Sequence, residues 1–157
     1  MRKANYDKFP STKLTGVLVQ GWDIIISMLK EKMDARKVLA VDLYTGVYEE
    51  EVLDAFSKEF SGRVMNVRDL MKPEKEIQTL TERFMTEDVL FGYVTNLKLE
   101  DYLDADKVAA ARKQISEAKE TIVIIGTGAA VVAPQDAMVV YADMARWEIQ
   151  QRFRRHE

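Results

Sequence analysis

Cysteine is absent from the 157-residue chain, and histidine occurs once, at His156. Without cysteine there are no disulfides and no thiolate metal sites, a composition that fits a reducing compartment. A lone histidine beside the C-terminus argues against a histidine-rich zinc site in this chain, and a Ser-His-Asp triad would have to recruit that same residue. Long apolar runs are also missing: the longest span about six residues, against the ~20 that a membrane helix needs. The opening "MRKANYDKFPSTK" is polar and has no signal-peptide core, so the expected address is the cytoplasm. A net charge of −3 gives no overall attraction to nucleic acid or to an anionic membrane surface.

What is present is an ordinary globular balance, 47% hydrophobic and 31% charged, over a length suited to one domain, residues 1–157, with a sizeable core. The pattern alternates strands and helices. Strands are expected at 14–19, 36–44, 63–70, 88–95, 121–126 and 137–144. Helices are expected at 21–33, 49–60, from Pro73 onward, from about Asp104, and over the terminal "ARWEIQQRFRRHE". "VLAV" and "TIVIIG" are apolar on both faces, as in a buried parallel sheet. Together these features predict a three-layer α/β/α domain with a mainly parallel sheet. Ligands bind such sheets beyond the carboxyl ends of the strands, an edge that would gather 44–49, 68–70, 95–96 and 126–130.

The segment "VLAVDLYTGVYEEEVLDAF" has the layout of a phosphate-binding loop: strand, short glycine-containing turn, amphipathic helix. A working loop reads G-x-x-x-x-G-K-[ST], with backbone N–H groups and the lysine holding phosphates and the hydroxyl holding magnesium. Laid on that frame, Leu43 and Tyr48 replace the glycines, Glu49 the lysine and Glu50 the hydroxyl residue. Gly46 lies inside the loop, and Asp42, which ends the strand, is a candidate ligand-facing residue. A triphosphate would meet Glu49, Glu50 and Glu51 in the first helical turn, where like charges at about 4 Å cost roughly 1 kcal/mol in water and several times more in a partly dry cleft. The same carboxylates suit the positive end of their own helix, so they are expected to fill the anion site themselves. Equally, three acids make a good helix start in any α/β domain. Tyr44, Thr45, Gly46 and Tyr48 are the candidate ligand-facing group, although turn chemistry alone also accounts for them.

The ending "TIVIIGTGAAVVAPQDAMVVYADMARWEIQQRFRR" resembles the C-terminal part of uridine-kinase-like P-loop kinases. The resemblance implies a P-loop nucleoside-kinase-like fold. It implies ligand-facing roles for Asp143 and Arg146, with Arg152, Arg154 and Arg155 as further phosphate clamps, and for Asp69 as an acid near an acceptor hydroxyl. A basic solvated helix face explains the arginines equally well, and "GTGAA" stands where such kinases tend to carry a carboxylate. The wording "NYDKFP", "GWDIIISMLKEKM" and "DLYTGVYEEEVLDAF" resembles the domain ahead of a cupin in bacterial class I mannose-6-phosphate isomerase-like proteins. That resemblance implies a longer parent chain with a C-terminal cupin-type partner domain. The zinc-assisted isomerase chemistry would sit in that cupin, with no cofactor in this chain. Three functions follow as expectations. The first is a non-catalytic accessory domain that binds a sugar phosphate, a nucleotide or only its partner domain. The second is a small-molecule kinase using arginines in place of the lysine. The third is an oligomerisation domain using Trp22, Trp147, Phe153 or Tyr141, with Trp22 expected in the core.

Overall fold

A computed structural model describes residues 7, 10–13, 15–88 and 91–156. Four strands, β1 (Val38–Leu43), β2 (Arg63–Asn66), β3 (Ile122–Gly126) and β4 (Met138–Ala142), form one parallel sheet in the order β2-β3-β1-β4. Among the described residues six α-helices accompany them: α1 (Trp22–Met33), α2 (Glu49–Glu59), α3 (Glu74–Glu82), α4 (Ala105–Glu117), the single turn α5 (Ala129–Val132) and α6 (Arg146–Arg154).

The central strands explain the layering. Side chains alternate along a strand, so Leu39, Val41, Val123 and Ile125 face one side and Ala40, Ile122 and Ile124 the other. The first set packs with Ile26 and Leu29 of α1 and Val52 and Phe56 of α2. The second packs with Val108, Ala111 and Ile115 of α4 and with Ala129 and Val132 of α5. Because both faces of β1 and β3 are covered, neither strand can afford a polar alternation, and both are apolar almost throughout. The expected three-layer α/β/α architecture is therefore the one observed.

Local signals set the boundaries. Asp104 caps α4 by accepting from the Asp106 and Lys107 N–H groups. The strand expected over 63–70 stops at Asn66, whose side chain accepts from the Arg68 N–H and turns Val67–Leu70 into a 3₁₀ turn. Two expected strands do not form among the described residues. At 14–19, Leu14 lies outside those residues, and 15–19 run without regular structure, with Val17 and Leu18 exposed. At 88–95, Val89 and Leu90 lie outside them. Phe91, Tyr93 and Val94 are exposed, and the Tyr93 N–H bonds the Phe84 carbonyl rather than a strand. In both segments the residues have β-propensity but pair with no strand, and propensity without a partner does not make a strand. No helix among the described residues is long and apolar enough to cross a membrane.

Candidate functional site

β1 leads into α2 on one face of the sheet, whereas its neighbour β3 leads into α5 on the other. That divergence opens a crevice beyond the carboxyl ends of the two strands. A pocket of about 570 Å³ occupies it, lined by Tyr44, Gly46, Tyr48, Glu49, Arg68 and Thr127 among others. A larger cavity of about 800 Å³ lies at the opposite, amino end of the strands, against Val38 and Ile122. We place the candidate site at the smaller pocket, because it lies beyond the carboxyl ends of the strands, the edge at which α/β sheets bind ligands. At the larger cavity, Arg112 is already engaged by the Val131 carbonyl at 2.7 Å.

The loop from β1 to α2 turns through Gly46 at φ 99°, a left-handed conformation that L side chains rarely adopt. A Cβ there would meet only the Met144 methyl at 3.7 Å, so backbone geometry and not crowding calls for glycine. Tyr44, Thr45, Gly46, Tyr48, Glu49 and Glu50 all line the pocket.

Glu49, the first residue of α2, has its side chain 19% exposed. One carboxylate oxygen accepts from Asn66 Nδ2 at 2.7 Å, and the other from the Arg68 guanidinium at 3.3 Å. Glu51 accepts from the Trp22 indole N–H at 3.0 Å. Glu50 is exposed. All three acids stand in the first turn of α2, and two of them also reach other elements, because the neighbouring β2 turn and α1 offer donors within reach. The sequence places Arg68 at the ligand edge without giving it a role, and it does not single out Asn66. Their only signal was a polar "NVRD" where β2 runs out.

Arg152 holds the same loop from outside the pocket lining. Its guanidinium donates to the Gly46 carbonyl at 2.7 Å, lies 3.6 Å from the centre of the Tyr48 ring and pairs with Glu148 at 3.1 Å. The side chain is 18% exposed. The loop therefore already carries a cation, supplied by α6. Hydrogen bonds from Arg152 and then Arg155 hold the Glu148 carboxyl below its ordinary value.

The remaining expected site residues are not gathered here. Asp42 is spent on structure, with its two oxygens accepting from the Gly128 and Ala130 N–H groups at 3.0 Å each. The Thr127 hydroxyl donates to the Leu43 carbonyl beside it. Asp69 is exposed and lines a separate depression with Arg63 and Lys107. Asp143 is exposed in the β4–α6 connection and accepts from the Met144 N–H. Arg146 is exposed at the first residue of α6, outside the pocket lining. Partial desolvation of its hydroxyl, followed by Asp143, Tyr44 and Asp42, raises the Tyr141 phenol above its usual value, so it stays protonated at neutral pH. Among the described residues no group of three or more His, Cys, Asp or Glu side chains could hold a metal ion.

No residue of α6 is buried, so the Arg152 contacts are a main attachment of this helix. Arg152→Ala is expected to cost only about 1–2 kcal/mol globally, from the hydrogen bond to Gly46, the cation–π contact with Tyr48 and the ion pair with Glu148. The local effect should be larger, with faster amide exchange across 44–48 and 146–154. Acid should act on the same contacts. A carboxyl with a lowered folded value contributes stability above its unfolded value, here 4.5, and loses it as the pH falls through the folded one. Exchange in α6 should therefore be insensitive to this carboxyl at neutral pH and accelerate only below that range, with the acid dependence reduced in Glu148→Gln.

A family model described as a domain of unknown function, DUF8485, matches residues 21–157. No curated protein and no solved structure matches the chain.

Proposed function

The chain belongs to the DUF8485 domain family, and from that footing we propose that it is a non-catalytic, P-loop-kinase-like accessory domain of a sugar-phosphate-metabolising protein. The observation that carries this reading is Glu49. In the lysine position stands a carboxylate held by Asn66 and Arg68, which puts negative charge where a transferred phosphate would need positive. The sugar-phosphate context rests on the resemblance to the domain preceding the cupin of mannose-6-phosphate isomerase-like proteins. In that setting the isomerase chemistry and its zinc belong to the cupin-type partner domain, and this chain supplies binding or assembly.

The kinase alternative would need free arginines. Arg152 is committed to Gly46, Tyr48 and Glu148, Arg155 pairs with Glu148, and Arg154 lies over the Trp147 ring. Isothermal titration with ATP, uridine, mannose 6-phosphate and fructose 6-phosphate, run beside a magnesium-dependent ATP-turnover assay, tests the proposal. The expected result is no turnover and no ATP binding that depends on the 44–50 loop. Magnesium-dependent turnover abolished by Arg146→Ala would overturn it in favour of the kinase.

A further inference from the structure

β4 lies at the edge of the sheet, and among the described residues it has a strand on one side only. The Tyr44 N–H bonds the Ala142 carbonyl, and the parallel register pairs Leu43 with Ala142. Backbone groups alternate in direction along a strand, so Met138, Val140 and Ala142 direct theirs to β1. Val139 and Tyr141 present their N–H and C=O groups outward. Their side chains lie on the same sheet face as each other and are 54% and 58% exposed, beyond the cover of α4 and α5.

Bare edges invite pairing, and monomeric proteins blunt them with charge, proline, bulges or short length. The far edge, β2, is so treated: it has four residues and begins at Arg63, whose guanidinium is engaged by Gln114. β4 has five residues, "MVVYA", with no charge and no proline.

We propose that β4 is a self-association edge, with two copies of this chain pairing their β4 strands antiparallel about a two-fold axis at Val140. The register is self-complementary. Val139 falls opposite the partner's Tyr141 and Tyr141 opposite the partner's Val139, and each pair exchanges both of its outward hydrogen bonds. Each also joins a β-branched and an aromatic side chain across the strands, a favoured combination. All five residues of the strand are paired. At its ends Asp143 meets the partner's Ala137, and Asp136 meets the partner's Met144, so no like charges are opposed. The contact is isologous and closes at two copies, giving one continuous eight-stranded sheet. The exposed aromatics of α6, Trp147 and Phe153, take no part in it.

Sedimentation equilibrium of the 157-residue chain at roughly 100 μM, enough to populate a dimer of micromolar Kd, tests this. A dimer is expected. Val139→Lys, at an exposed position, should weaken association about tenfold or more while leaving the circular dichroism of the monomer unchanged. The pair Trp147→Ser and Phe153→Ser should leave the dimer intact. Should Val139→Lys fail to fold, amide exchange on the unaltered chain decides instead: the Val139 and Tyr141 amides should be protected at high concentration and exchange quickly on dilution. A monomer at 100 μM, a dimer indifferent to Val139→Lys, one dissolved by the α6 changes, or concentration-independent exchange at those amides would each overturn the assignment.

Discussion

Phe56→Ala is expected to destabilise the domain by about 3–5 kcal/mol, the cost of removing a large aromatic from a packed core. Phe56 is 1% exposed and sits where α1, α2 and the sheet converge. Its ring meets Trp22 edge-on at 6.4 Å and Phe60 at 6.1 Å, contacts that add to the area it buries. The neighbours hold backbone positions in two helices and two strands, so they have little freedom to collapse into the space. Domains of this size gain about 2–4 °C per kcal/mol, so the melting temperature should fall by roughly 6–20 °C. Phe153→Ala is the control: the same change at a residue 78% exposed on α6 should stay within about 0.5 kcal/mol. Equal losses at the two positions would mean that α6 is packed in solution in a way the structure does not describe.

Asp42→Ala is expected to cost about 2–3 kcal/mol, for a different reason. The carboxylate joins the end of β1 to the loop after β3 by accepting from Gly128 and Ala130. Hydrogen bonds to a charged acceptor contribute about 1.5–3 kcal/mol, and alanine leaves two donors in a partly buried turn without their partner. Gly128 adopts φ 91° there, so the loop has few alternative paths. Asp42→Asn keeps one acceptor and should lose about half as much. Urea denaturation gives the magnitude, and amide exchange at 126–130 gives the location. If Asp42 faced a ligand instead, Asp42→Ala would leave stability within about 0.5 kcal/mol and alter binding only.

These two positions illustrate how differently core and site were legible. Val52, Leu53, Phe56 and Phe60 fall on one helical face by spacing alone, and in the fold Val52, Phe56 and Phe60 are buried and Leu53 packs against them. Trp22, expected in the core, is there in part: its ring packs on Phe56 while its indole N–H reaches Glu51. Asp42, by contrast, looked ligand-facing because it ends a strand at the binding edge of an α/β sheet. Nothing in the linear order says that its two acceptor sites meet N–H groups more than eighty residues away. The failed strands at 15–19 and 91–95 have the same origin, since a strand needs an edge to join and an edge is a property of the assembled sheet.

The sequence by itself determined the class of the domain. Apolar runs in β1 and β3 required a sheet covered on both sides, and the spacing in α1, α2 and α4 supplied the cover. These are local or compositional facts, and hydrophobic periodicity carries them without knowledge of neighbours. Tertiary structure alone decided where the charges go. Glu49 turns to Asn66 and Arg68, Glu51 to Trp22, Arg152 to Gly46 and Tyr48, and Asp42 to the β3–α5 loop, while β4 has a strand on one side only among the described residues. Each of these depends on which elements become neighbours, and only the packed chain fixes that, because polar partners are chosen by distance in space rather than by position in sequence.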